Sequence, residues 1–276
     1  VRDGTTIGLI TPEPGHPLLA ATTELLAREH RVVAVHPETT DPAGLEPMAD
    51  VYLLKSRTPR ALALARELES RGAVVVNSAE ATALCQDRTY LADRARQAGL
   101  PFSATRTFGS LADFAAAAGA GEWAGPLVVK SRHSRRHDLV ARVDSLGRLA
   151  ELARSWADEP VVVQEFTENS GYDHKLWVID GTVFAALRRS ELSPGGRGPT
   201  VPLALAELPR GWADVVVEVG GVFGLDVYGV DVLDAGEGAP LIVDINAFPG
   251  IRGQAGAPEA LAALALRRAR ETAVAA

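Results

Sequence analysis

The first 80 residues alternate short apolar runs with amphipathic stretches. T-T-I-G-L-I-T (5–11), R-V-V-A-V-H (31–36), D-V-Y-L-L-K (50–55) and A-V-V-V-N-S (73–78) read as strands. Residues 17–30 and 59–72 carry apolar positions at helical spacing, the second stretch closed by Gly72, and Ser78 is placed to cap the helix that follows. Continuous β-branched runs separated by helices predict a parallel sheet covered on both faces. No G-x-G-x-x-G follows the first strand, so the dinucleotide-binding fingerprint is missing.

Beyond residue 80 the alternation changes character. Helices are predicted over 86–98, 110–120, 145–156, 211–224 and 257–271, and strands over 101–108, 126–131, 138–143 and 160–166. K-L-W-V-I-D-G-T-V-F-A-A-L-R-R-S (175–190) reads as a hairpin about a D-G turn. L-D-V-Y-G-V-D-V-L-D (225–234) and P-L-I-V-D-I-N-A-F (240–248) read as a second pair of strands around A-G-E-G. S-P-G-G-R-G-P (193–199) has the composition of a flexible loop.

Composition narrows the class. At 276 residues, 47% hydrophobic and 23% charged, the chain suits about two globular units. A formal net charge of -7 gives no general attraction for nucleic acid. The single cysteine, Cys85, rules out an intrachain disulfide and fits a reducing, cytoplasmic setting; it reads as a buried structural thiol. No apolar run approaches membrane-spanning length, and V-R-D-G-T-T lacks a basic-then-apolar signal pattern, so no membrane association is expected. Arginine replaces lysine almost throughout: three lysines remain, Lys55, Lys130 and Lys175, beside three asparagines, Asn77, Asn169 and Asn246. A surviving lysine draws notice because a compact ammonium can approach one phosphate oxygen where a planar fork cannot.

Three groups of residues can carry chemistry. Asp244 and Asn246 are two apart on one strand and share a face, and Asp231 lies opposite on the partner strand. Three oxygens on one face suit Mg²⁺ completed by phosphates and water; polar residues on an exposed hairpin would give the same spacing. Lys130 ends one strand, Lys175 opens the first hairpin, and Arg188 with Arg189 closes it, so cations could bracket an anion; a solvated strand end is the commoner explanation for any one of them. R-H-S-R-R-H (132–137), directly after Lys130, reads as a clamp for a triphosphate or anionic substrate, or as a solvated turn.

Taken in order, these pieces resemble the ATP-grasp enzymes. N-S-A-E-A-T-A-L-C-Q-D-R (77–88) followed by A-G-L-P is similar to their entry into the nucleotide-binding region, with Arg88 where a phosphate-reaching cation is expected. P-L-V-V-K places Lys130 at the α/β-phosphate lysine. V-V-V-Q-E-F-T resembles the hinge, Gln164 to Thr167, whose backbone around Glu165, Phe166 and Thr167 meets adenine. Asp173 falls where an acid holds the ribose, and Lys175 also falls among the nucleotide-binding positions. G-V-D-V-L and V-D-I-N-A-F-P-G match the magnesium motif through Asp231, Asp244 and Asn246.

The resemblance implies an ATP-grasp fold, α/β and α+β, behind an N-terminal parallel-sheet α/β domain. Its divisions fall at 1–80, 81–164 (central and lid) and 165–276 (C-terminal, with the metal site). It implies ATP and Mg²⁺, two ions, with Mn²⁺ able to substitute, and Lys130, Lys175 and Arg188 as catalytic cations. Arg132, Arg135, Arg189 and Arg252 are the candidates to hold an anionic or carboxylate-bearing acceptor, a small molecule or a peptide. Homodimers are common among similar enzymes. The chain departs from most ligases in its arginine-rich, glycine-free loop after Lys130 and in D-I-N where E-x-N is usual. The D-x-N form also resembles the inositol-polyphosphate kinases, whose usual histidine after Q-E-F is replaced here by Asn169 or Ser170. The first reading is therefore a glutamate-ligase-like carboxylate–amine ligase, working through an acyl phosphate. The alternative is a small-molecule kinase on the same scaffold.

Overall fold

A computed structural model of the chain describes residues 4–123, 125–193 and 195–275; the first three residues and Pro194 of the expected flexible loop lie outside them. Four strands, β1 (Thr6–Ile10), β2 (Arg31–Val35), β3 (Val51–Leu54) and β4 (Val75–Val76), form a parallel sheet in the order β2-β1-β3-β4. Alternate residues point to opposite faces, and both faces are buried. Ile7, Leu9 and Leu53 pack against Leu18 and Leu19 of α1 (Pro17–Leu26). Ile10, Tyr52 and Leu54 pack against Leu62, Leu64 and Leu68 of α2 (Pro59–Ser70). The doubly covered sheet read from the apolar runs is thus present.

Next come α3 (Ala79–Leu84), which Ser78 caps through its side chain, and α4 (Arg88–Ala98), which Asp87 caps and Gly99 closes at φ +75°. An antiparallel sheet follows in the order β5-β8-β6-β7, from β5 (Thr105–Phe108), β6 (Leu127–Ser131), β7 (Val140–Val143) and β8 (Val161–Glu165). Leu111 and Phe114 of α5 (Leu111–Ala117) and Leu149 of α6 (Leu146–Trp156) fill one face with Val129, Val161 and Val163. The expected strand over 101–108 pairs with β8 only from Thr105 onward. Before that, Ser103 N–H donates to Ile242 O at 2.9 Å and Ile242 N–H to Pro101 O at 2.7 Å, so this stretch ties two sheets together.

The third sheet runs β11-β10-β9-β12-β13. The hairpin of β9 (Tyr172–Ile179) and β10 (Thr182–Arg189) turns at Asp180 and Gly181, both at positive φ, as the D-G dipeptide predicts. β9 starts three residues before Lys175, which therefore lies inside the hairpin rather than opening it. β11 (Thr200–Leu203) was not predicted; it is a sheet edge, where Pro202 is tolerated. α7 (Trp212–Phe223) covers one face of this sheet with α4, and β12 (Val227–Asp234) and β13 (Pro240–Ala247) complete it. The final helix, α8 (Ala257–Ala275), returns to α1 and joins the N-terminal sheet to the other face, which includes Trp177, Phe184 and Val227.

Asn77 fastens these layers. Its buried amide donates to Val227 O at 2.7 Å and accepts from Asp226 N at 2.8 Å and Val227 N at 3.0 Å. Removing that amide strands buried backbone groups, each worth ~1–3 kcal/mol. Asn77→Ala is expected to lower unfolding free energy by about 3 kcal/mol in urea titration. A loss under about 1 kcal/mol would show that the strut is dispensable.

Candidate active site

A cavity of about 310 Å³ lies between the second and third sheets. Its wall follows from strand periodicity. Val128 and Lys130 on β6 sit beside Val140 and Arg142 on β7, in the register Lys130↔Val140 and Val128↔Arg142, and all four line the space. Gln164 to Gly171 form another side, and Asp231, Val243 and Asp244 close it from the third sheet. The Gln164 side chain is buried and donates to Thr105 Oγ1 at 3.0 Å, which anchors the hinge segment to β5.

The hairpin near the C-terminus has the expected arrangement. Asp231 stands directly across from Asp244, and Asn246 Nδ2 lies 3.5 Å from Asp244 Oδ2 on the same strand face. The register slips between Asp231↔Asp244 and Val232↔Ile242, leaving Val243 without a partner on β12. That bulge frees the Val243 carbonyl, which accepts from Lys130 Nζ at 2.7 Å. The bulge thus explains how a lysine from one sheet reaches the oxygen cluster of another. Gly229 of G-V-D is closely packed: a β-carbon there would meet Pro249 Cγ at 2.9 Å and Trp177 Cδ1 at 3.0 Å.

Each oxygen of the cluster faces a cation. Asp231 pairs with Lys175, and Asp244 Oδ2 lies 3.4 Å from Arg88 Nη2. Asn246 Oδ1 accepts from Arg57 Nη1 at 3.4 Å. Burial acts to raise the Asp244 carboxyl, but the charges of Arg88 and Lys130 outweigh it and hold it below the usual carboxylate range. Burial pushes the Lys130 ammonium down to about 8. Asp173 lies 3.7 Å from both Lys175 Nζ and Arg188 Nη2, so the expected ribose acid and two expected catalytic cations meet. Cys85 is buried, and desolvation drives its thiol up to about 12, as suits a structural residue.

Two carboxylates and one amide oxygen are a hard donor set. Among the described residues no group of three or more His, Cys, Asp or Glu has metal-holding geometry. Two carboxylates and an amide oxygen would suit Mg²⁺ completed by phosphate and water.

The four expected acceptor arginines lie elsewhere. Arg132 grips Asp87 with Nε–Oδ1 at 3.0 Å and Nη2–Oδ2 at 2.7 Å. Arg135 grips Glu159 at 2.6 and 2.8 Å. Arg189 donates to the carbonyls of Gly195 and Gly196. These three forks stiffen loops, and none of them borders the cavity. Arg252 is exposed beyond the F-P-G turn. Two residues went unread. Arg142 stacks over Phe166 with its guanidinium carbon 3.8 Å from the ring centroid; the alternation of D-L-V-A-R-V places it on the Val140 face and could have shown it. Asp138 neutralises Arg88 at 2.7 Å, a contact that no sequence spacing reveals.

The RimK-like ATP-grasp domain family matches residues 97–259. Human N-acetylaspartylglutamate synthase A is 25% identical over 223 residues, covering 75% of this chain and 56% of that protein. Beta-citrylglutamate synthase B of Danio rerio is 26% identical over 196 residues, 67% of this chain and 47% of that one. The chain thus spans about half the length of these curated relatives. The crystal structure of a RimK domain ATP-grasp protein from Sphaerobacter thermophilus DSM 20745 superposes with a TM-score of 0.75 at 23% identity, over 94% of this chain and 98% of that one, which shows the shared fold. The family match takes in β5 to β13, with the hinge and the oxygen-bearing hairpin inside it, and the protein belongs to the RimK-like ATP-grasp family.

Proposed function

We propose that the protein is a Mg-ATP-dependent carboxylate–amine ligase. The observation that carries this reading is the single cavity in which the hinge Gln164–Thr167, Lys130 and the carboxylates Asp231 and Asp244 converge. ATP-grasp ligases as a class use ATP and Mg²⁺, and the names of both curated relatives are those of synthases of glutamate conjugates, which favours amide formation over the kinase alternative.

In this reading the backbone of Glu165 to Thr167 meets adenine, with Phe166 held beneath Arg142, and Asp173 takes the ribose. Lys130 and Arg88 meet the phosphates from the β6 side. Asp231, Asp244 and Asn246 would hold Mg²⁺, which would supply positive charge to offset that of the phosphates. Lys175 and Arg188, held around Asp173, balance the negative charge on the transferring group. A substrate carboxylate oxygen bonds to the γ-phosphorus as the bond to ADP breaks. An amine then attacks the acyl carbon, phosphate departs, and the amine loses its proton, leaving an amide. The acceptor is a small amino-acid-like or peptide molecule bearing a carboxylate.

The test is phosphate release from Mg-ATP with pooled amino acids and dipeptides, products being followed by mass. A product equal to two components less one water is expected. A component heavier by one phosphate group, without free phosphate, would establish the kinase instead.

A further inference from the structure

Gln164 lines the main cavity at the start of the hinge and is 4% exposed. A buried amide turns either its oxygen or its NH₂ toward a ligand, and the choice decides what it can bind. Its neighbours fix the orientation here. Gln164 stands directly across from Thr105, in the register between β8 and β5. The Thr105 hydroxyl has one hydrogen, which it donates to Ser103 O at 2.8 Å. A carbonyl has no hydrogen to give, so that bond runs one way only. Thr105 Oγ1 is left with lone pairs alone, and the amide atom 3.0 Å from it is therefore the donor Nε2. Oε1 is the amide atom left to face the cavity. Among the described residues no protein group donates to it, and it is not sealed away from the space that Gln164 lines.

The chain of bonds is anchored beyond Thr105. Ser103 is buried, and its N–H donates to Ile242 O of β13 at 2.9 Å. The series Gln164 Nε2, Thr105 Oγ1, Ser103 O thus begins at the hinge and ends on a residue tied to the third sheet, so both sheets that enclose the cavity hold it. Thr105 itself does not line the cavity, and its effect on a ligand passes through Gln164.

We propose that Thr105 is a positioning residue that holds Gln164 with its oxygen toward the nucleobase, so that the site selects a purine with an amino group at position 6 over one with an oxo group there. This rests on the nucleotide reading above and adds to it the atom that reads the base. An exocyclic amine donates to Oε1. An oxo group in the same place sets two acceptors against each other and leaves both without a hydrogen. Valine at position 105 keeps the β-branched shape but removes the lone pairs that hold Nε2, and the amide is then free to turn its NH₂ to an oxo group.

The test is calorimetric titration of the intact chain with Mg-ATP and Mg-ITP, whose bases differ in the group at position 6 and the N1 hydrogen that goes with it. Wild type is expected to prefer ATP about 10²-fold or more. Thr105→Val is expected to narrow that ratio about tenfold, chiefly by tighter ITP binding, and Thr105→Ala carries the same expectation as a second variant. Thr105→Ser, which keeps the hydroxyl, should hold the wild-type ratio. Gln164→Met should narrow the ratio as well, and adding Thr105→Val to it should change the ratio no further, as a residue acting through Gln164 requires. Equal wild-type affinity for the two nucleotides overturns the proposal. So does a wild-type ratio in Thr105→Val and Thr105→Ala, a loss of the ratio in Thr105→Ser, or a further narrowing in the double variant. Tight Mg-ATP binding with any of these results spares the nucleotide site, whereas wild-type protein that binds neither nucleotide sinks that site and the positioning role together.

Discussion

Asp244→Asn is expected to lower Mg-ATP turnover by about 10³-fold, or about 4 kcal/mol of transition-state stabilisation, in a protein that remains folded. The asparagine keeps the shape and one acceptor oxygen but removes the charge that suits Mg²⁺. Alanine is the poorer test, because the carboxylate also serves the fold. It sits 3.4 Å from Arg88, whose remaining carboxylate partner is Asp138, and its charge helps compensate the buried Lys130. Removing one partner of such a buried cluster costs roughly 3–5 kcal/mol, so lost turnover in Asp244→Ala would mix chemistry with unfolding. The folded carboxyl titrates below its ordinary range. Its contribution to stability is therefore complete above the unfolded pKa and disappears as pH falls through the folded value. Asp244→Asn should flatten that acid limb in urea titrations while circular dichroism at pH 7 is unchanged. Retention of more than about a tenth of wild-type turnover would remove Asp244 from the metal site.

The expected order of elements was legible because it rests on local periodicity. Runs such as I-G-L-I and V-Y-L-L are buried on both faces, and the D-G turn needs positive φ at two consecutive positions, which few dipeptides supply. Asp231, Asp244 and Asn246 were legible for the same reason: a two-residue period puts them on one face once the strands pair. What the spacing could not carry is register and tertiary partnership. A slip of one residue at Val243 decides that Lys130 finds a carbonyl, and nothing in P-L-I-V-D-I-N marks it. The loop 132–137 misled because a dense run of arginines looks like an anion clamp, whereas Asp87 and Glu159, distant in sequence, already occupy Arg132 and Arg135.

Lys130 should make activity and stability respond to pH in opposite senses. Desolvation holds its folded pKa at about 8, against an ordinary 10.5. Below pH 8 the ammonium is charged in both folded and unfolded chains. Between the two values the unfolded chain binds the extra proton, so the stability of the free protein rises with pH across this window. Over the same window the folded site loses the cation that meets the phosphates, and kcat/KM for Mg-ATP should fall about tenfold for each unit above pH 8. Nucleotide restores the charge by supplying anionic oxygens, so ATP binding near pH 8.5 should take up a proton, visible by calorimetry in buffers of different ionisation enthalpy. Lys130→Met should abolish the proton uptake, flatten both limbs and lower turnover about 10²- to 10³-fold. A hydrophobic stem of similar length keeps the packing against Val128 and Val140, so the variant separates charge from volume. If the basic limb persists in Lys130→Met, another group governs phosphate binding, and the bulge at Val243 serves only the fold.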